Sequence, residues 1–185
     1  MPGPVTLQGS QVVVRPLRMD ELETIAEAQA RLYAFVEESG EAVEERLRKR
    51  IEHSGELVDG WLDLGIEAEG RLVGDISARN PKNAFPPGVF EVGITIFEDA
   101  DRGKGYGREA TELVTTHLFE LGAAGRVQAT TAVDNLAMRR VLEALGFVHE
   151  GTLAAFMPGP DGRDDYAMYA VTREAWARTR QSSEG

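Results

Sequence analysis

The run Arg102-Gly103-Lys104-Gly105-Tyr106-Gly107 has residue types and a spacing suited to anion chemistry. It lies between a β-rich stretch and an amphipathic one. Glycines let backbone amides come close to a ligand and adopt positive φ. The first N–H groups of a helix gather partial positive charge, so a phosphate is favoured there. The surrounding charge agrees. The chain carries a net −11, yet residues 101–145 hold six acids and six bases, with Arg102, Lys104, Arg108, Arg139 and Arg140 among the bases. An anionic ligand held by residues 102–140 is one reading; the other is a solvated turn with scattered bases.

Three phosphate-binding patterns compete for this loop. A P-loop requires a glycine five residues before Gly103 and a Ser or Thr after Lys104. The chain has Glu98 and Gly105 there. A dinucleotide fingerprint matches at Gly105, Gly107 and Ala110, but five polar or small residues, Glu98 to Arg102, separate it from its strand. No acid follows at about 20 residues to take a ribose. The third pattern is [QR]-x-x-G-x-[GA], which Arg102, Gly105 and Gly107 satisfy.

Composition narrows the class further. A chain of 185 residues, 42% hydrophobic and 28% charged, suits one domain over 1–185, with a core at about 7–176 and a frayed tail at 177–185. No cysteine occurs, so disulfides and thiol catalysis are excluded. The three histidines, His53, His117 and His149, form no tight cluster, and no metal is expected. An acidic balance with pI near 4.8 argues against nucleic acid. No apolar run reaches the ~20 residues of a membrane span. The start lacks a signal-peptide pattern. A cytoplasmic protein is expected.

Elements must position the loop. Residues 11–15 read as a strand. Asp20 is expected to cap a helix over 21–36, and a second helix fits 41–53. Residues 61–67 and 71–79 read as a hairpin about Glu69-Gly70, and 80–88 as a proline loop. Residues 89–97 are β-rich. Ala110, Leu113, Val114, His117, Leu118 and Leu121 share one helical face, with His117 expected to be a satisfied core histidine. A strand spans 126–132. Asp134 or Asn135 caps a helix through Leu145, which Gly146 ends. Strands at 148–156 and 165–171 follow, joined by a loop, and Thr172 caps a short last helix. Trp61 and Trp176 are expected as packing anchors. The order β-α-α-β-β-β-α-β-α-β-β gives an α/β fold with a mixed sheet flanked by helices.

The third loop pattern, the stretch Glu91-Val92-Gly93-Ile94-Thr95-Ile96 before it, and the stretch Asn135 to Phe147 after it resemble the cofactor motifs of the GNAT superfamily of N-acetyltransferases. The beginning VVVRPLRMDE and the end YAVTREAW resemble the branch that acetylates N-termini of ribosomal proteins. The likeness covers about residues 7–176. It implies a mostly antiparallel sheet whose central strands splay, and acetyl transfer from acetyl-CoA to an amine. It further implies that the backbone at Ile94 and Ile96 bonds the pantetheine arm. The amides of Arg102, Gly103, Lys104, Gly105, Tyr106 and Gly107 would take the pyrophosphate. Asn135 would touch the pantetheine arm, and Arg139 or Arg140 would reach the ribose phosphate. Tyr33, Phe35, Glu37 and Glu38 would border the acceptor.

An amine must lose a proton before attacking a thioester. An α-amino group has a pKa of about 7.7–8 and a lysine amine about 10.4. A base or a water relay is therefore needed, and Glu91 is the candidate. The family often carries a tyrosine, as general acid, where this chain has Leu142. Water, Tyr106, Tyr166 or Tyr169 would have to substitute. The expected partner is a cationic amine or a peptide N-terminus, since residues 1–70 hold a net −8. Nucleic acid and membrane are not expected; a homodimer stays open. The alternatives are a CoA-binding module without catalysis and, further off, an NAD(P)-binding oxidoreductase.

Overall fold

Two helices begin where the sequence changes from turn formers to apolar spacing, and a carboxylate three residues into the first start does the capping. The computed structural model describes residues 3–32, 40–81, 88–159 and 161–181. Glu21, at the end of a 3-10 turn Met19–Glu21, accepts from the Arg18 N–H at 2.8 Å. Asp20, expected as the cap, lies inside that turn instead. Helix α1 follows as Leu22–Leu32 and α2 as Gly40–Glu52. Tyr33, Phe35, Glu37 and Glu38, the end of the first expected helix, most of the proline loop and residues 182–185 fall outside the described residues.

Among the described residues, five α-helices and eight strands build an α/β domain. The sheet order is β1-β2-β3-β4-β5-β6-β8-β7. The strands are β1 (Leu7–Gln8), β2 (Val13–Arg15), β3 (Trp61–Ala68), β4 (Arg71–Arg79), β5 (Val89–Ile96), β6 (Arg126–Ala132), β7 (Val148–Gly159) and β8 (Gly162–Thr172). Helices α3 (Tyr106–Glu120), α4 (Leu136–Ala144) and α5 (Arg173–Gln181) complete it. The chain divides into two compact units, Met1–Ser77 with Ile94–Leu113, and Ala78–Gly93 with Val114–Gly185.

In the first unit β1, β2 and β3 are antiparallel neighbours. The β3–β4 turn places Glu69 at φ 52 and Gly70 at φ 76. Positive φ at both central residues matches the right-handed twist of a tight hairpin. Ile25 and Ala28 of α1 and Leu47 and Ile51 of α2 bury their side chains with Leu17 and Phe97. Burying one such aliphatic side chain stabilises by about 1.5–3 kcal/mol. Arg50 ties the end of α2 to the sheet, donating to Asp63 at 2.6 Å and Asp75 at 2.7 Å. Burial pushes the Asp63 carboxyl above its ordinary value, against the pull of Arg50. Trp61, expected as a packing anchor, is instead 45% exposed.

In the second unit β5 runs parallel to β6 over Val89–Glu91 against Arg126–Gln128. That register stops at Glu91, although β5 continues to Ile96. Strand β6 pairs antiparallel with β8 along its length, from Arg126↔Thr172 to Ala132↔Tyr166. The β7–β8 hairpin extends further than the sequence suggests. Met157, Pro158 and Gly159 pair with Asp164, Arg163 and Gly162, where a loop is expected. Arg163 donates to the Ala155 and Phe156 carbonyls, and Asp165 accepts from the Ala155 N–H. These bonds hold the bulged strand, and a proline is tolerated because β7 is an edge. Trp176 is the anchor expected, set against Phe119 and Phe147 at 6.1 and 6.3 Å between ring centroids. Thr172 caps α5, accepting from the Ala175 N–H at 3.3 Å. His117 departs from expectation: its Nε2 is buried with no hydrogen-bond partner among the described residues.

Candidate active site

A strand end, a 3-10 turn and a helix start place the glycine loop. Asp99–Asp101 forms the turn, and Gly103 and Gly105 follow at φ 76 and φ 92. Both angles lie in the left-handed region that a side chain resists. The Glu109 N–H closes the first helical bond on the Gly105 carbonyl at 3.0 Å. The N–H groups of Tyr106, Gly107 and Arg108 therefore lie at the free end of α3, where no intrahelical acceptor exists. A Cβ on Gly103 would meet nothing within 4 Å. A Cβ on Gly107 would sit 3.5 Å from Ile94 and 3.8 Å from Ile96. This packs the first turn of α3 against the end of β5. The arrangement is a cradle of backbone amides open on the Gly103 side, which fits a diphosphate.

The loop is stapled from below by a buried acid. Asp101 is 2% exposed. Arg71 of β4 donates both ends of its fork to it, at 2.6 and 2.8 Å, and Lys104 adds a third bond at 3.1 Å. The Arg71 bond above all, against the opposing effect of burial, holds the Asp101 carboxyl at about 2. Lys104 is thus committed to Asp101, and Arg102 pairs with Asp99 at 2.7 Å. The loop's basic side chains Arg102 and Lys104 thus pair with its own acids. Sequence reading missed Asp101 and Arg71, because an acid in a polar turn looks solvated and its partner is 30 positions away.

Glu91 lies on β5 with its carboxyl 12% exposed. Arg79 donates to Oε1 at 2.5 Å, and Gln128 donates to Oε2 at 3.2 Å. A carboxylate has about four acceptor positions, so these two bonds orient it without exhausting it.

Asn135 caps α4, its Oδ1 accepting from the Met138 N–H at 3.1 Å. Its exposed amide NH2 makes no hydrogen bond to a described residue. The two neighbouring arginines differ. Arg139 donates to Tyr169 at 3.1 Å and to the Val133 carbonyl at 2.9 Å, whereas Arg140 is exposed. Leu142 is wholly buried, and so is Tyr169, whose hydroxyl donates to Glu143 at 2.8 Å. Tyr106 donates to Glu69 at 3.2 Å; burial and that carboxylate push its phenol above the ordinary value. Tyr166 is half-buried beside Phe156, with 5.9 Å between ring centroids. Two of the three tyrosines weighed as acids are thus committed to carboxylates. Among the described residues no group of His, Asp and Glu is placed to hold a metal, and no helix is long and apolar enough to cross a membrane.

Residues 11–148 match the acetyltransferase (GNAT) domain family. Among solved structures, a T. thermophilus protein assigned as an acetyltransferase is 26% identical, with TM-score 0.75 over 100% of this chain and 97% of that one. The ribosomal-protein-S5-alanine acetyltransferase of Vibrio fischeri is 22% identical, with TM-score 0.76 over 93% and 98%. RimJ of Mycobacterium smegmatis, solved with a CoA disulfide, is 21% identical, with TM-score 0.72 over 98% and 93%. No curated protein matches the chain.

Proposed function

The chain belongs to the acetyltransferase (GNAT) domain family and is an acyl-CoA-dependent N-acetyltransferase, and from that premise we propose that its acceptor is a cationic amine, either a peptide N-terminus or a small amine. The amine attacks directly in a ternary complex. The observation that carries the acyl-CoA side of the reading is the left-handed pair Gly103 and Gly105 at the free end of α3.

When bound, acetyl-CoA supplies an acetyl group activated as a thioester. The amides from Arg102 to Gly107 hold its diphosphate, and the backbone at Ile94 and Ile96 is the support for its pantetheine arm. Asn135, with its free NH2, and Arg140, with its exposed guanidinium, are the further donors. Arg139, bonded to Tyr169, positions α4. Glu91, oriented by Arg79 and Gln128, takes the proton that the ammonium must lose. With Leu142 in the core and Tyr106 and Tyr169 bonded to carboxylates, water or Tyr166 would return a proton to the departing thiolate. A strand amide would meet the oxyanion, and being fixed it would need no reorganisation.

The acceptor assignment rests on charge. Residues 1–70 keep a net −8, and an acidic surface concentrates amines. The test is thiol release from acetyl-CoA with a panel of small amines and N-terminal peptides. Turnover with at least one amine supports transfer. CoA binding without turnover on any amine would favour a CoA-binding module, and no CoA binding would reject the cradle.

A further inference from the structure

The turn between β1 and β2 is pinned to the first turn of α3 by one side chain. Glu109 Oε1 accepts from the Ser10 N–H at 2.7 Å and the Ser10 hydroxyl at 2.5 Å. Its Oε2 accepts from the N–H groups of Gln11 and Val12, both at 2.8 Å. The approach is close enough that a Cβ on Gly9 would fall 2.6 Å from the Glu109 carboxyl carbon. A carboxylate with four donors is an unusual investment for a surface turn 97 to 99 positions away in sequence. Burial pushes the Glu109 carboxyl up, but the donors outweigh it and keep the group below its ordinary value.

What this clasp fixes is the place of Gln11. The Gln11 Nε2 lies 3.3 Å, and its Oε1 3.9 Å, from the point a Cβ on Gly105 would occupy. The carboxamide therefore stands over the second left-handed glycine of the loop. Its backbone N–H belongs to Glu109, while the exposed carboxamide makes no hydrogen bond to any described residue. A neutral donor suits this position. It adds a hydrogen bond to an anion without competing for Asp101, which already holds two cations.

We propose that the Gln11 carboxamide donates to the cofactor diphosphate held by the Gly103–Gly107 loop, with Glu109 as the positioning residue that holds Gln11 there. The inference rests on the CoA reading above. Glu109 acts through the turn and does not touch the ligand: its charge is enclosed by Ser10, Gln11 and Val12.

Equilibrium binding of three probes to the full chain tests it: CoA, 3′-dephospho-CoA and pantetheine. Gln11→Ala should weaken CoA and 3′-dephospho-CoA alike by about 3–10-fold, the effect of one hydrogen bond. Pantetheine, which lacks the diphosphate, should bind as it does to wild type. Gln11→Glu should weaken CoA further, because it sets a negative charge against the diphosphate. Glu109→Gln should reproduce the Gln11→Ala loss, and the double variant should lose no more than the larger single loss. Additive losses would overturn the positioning role. Wild-type CoA affinity in Gln11→Ala, or an equal loss for pantetheine, would overturn the contact. Those results leave the function standing; a wild-type chain that binds no CoA overturns the function itself and this inference with it.

Discussion

Arg71 lays its guanidinium fork across the Asp101 carboxylate, with bonds of 2.6 and 2.8 Å, on the protein side of the glycine loop. The pair faces two ways. It fixes the turn that delivers Gly103 and Gly105, and it cancels a negative charge that would otherwise repel a diphosphate. Arg71 is half exposed and Asp101 is buried, so the charge that needs the pair is the acid.

Replacing Arg71 with Ala should therefore destabilise the chain at pH 7, because the buried Asp101 carboxylate loses its main partner. The pH dependence follows from Asp101. Its carboxyl sits at about 2, below the ordinary 3.8, so the unfolded chain binds the proton first as pH falls. The contribution is complete above about pH 4 and is lost between there and about pH 2. Urea unfolding across that window should show wild type losing its advantage over Asp101→Asn. Parallel curves would show that Asp101 contributes no such linkage.

Gly105→Val should abolish CoA binding while leaving the fold intact. Position 105 has φ 92, and a Cβ there would lie 3.3 Å from Gln11. A non-glycine residue in the left-handed region costs roughly 1–2 kcal/mol, too little to unfold a domain but enough to reshape a loop. Circular dichroism and calorimetric CoA titration give the two readouts. A folded variant with wild-type affinity would remove the loop from the site.

The parts of this site that were legible in the sequence are local. Two glycines in a strand–loop–helix junction announce positive φ, and Asp134-Asn135 directly before a helical stretch announces a cap, which the structure gives to Asn135. The Glu69-Gly70 turn was legible for the same reason. What could not be read is long-range pairing. Nothing near Asp101 marks it as buried, because its partner Arg71 sits on another strand. Glu109 reads as an ordinary first-turn acid, since the three N–H groups it collects are almost a hundred residues earlier. Arg139 looks equivalent to Arg140 until Tyr169 claims one of them. The β7–β8 pairing through Pro158 was hidden by loop-forming residue types that an edge strand accepts.

His117 should be a stability liability in mild acid. Burial lowers its imidazole pKa below the ordinary value, and its Nε2 has no partner among the described residues. As pH falls through the ordinary imidazole range the unfolded chain takes up the proton first, so stability declines below about pH 6.5. His117→Leu removes both the titration and an unpaired polar atom. It should stabilise at pH 5.5, and by less at pH 8. Thermal melts at the two pH values decide this; an equal gain at both would mean packing alone is responsible.

The net −8 over residues 1–70 should make capture of a cationic acceptor depend on salt. Such steering is screened over about 8 Å at physiological ionic strength. The kcat/KM for the best amine should fall between low and moderate salt, with kcat nearly level. A salt-independent kcat/KM, or a preference for an acidic N-terminal peptide, would reduce these acids to a solubilising surface.

Glu91→Gln tests the proposed proton acceptor with little change of shape. The new amide oxygen can still accept from Gln128 or Arg79, so the local geometry is expected to persist, while the capacity to take a proton at neutral pH is gone. Positioned general bases contribute typically 10²–10⁴-fold, so kcat should fall within roughly that range. CoA affinity should stay within about twofold, since the loop and Asn135 are untouched. The loss should be deepest at low pH, where the acceptor is an ammonium, and should shrink as pH approaches the amine's own value of about 8 for an N-terminus. Steady-state rates from pH 6 to 9.5, with CoA titrations at each end, separate the possibilities. A uniform loss across pH would make Glu91 a positioning residue for β5, and an unchanged rate would remove it from the mechanism.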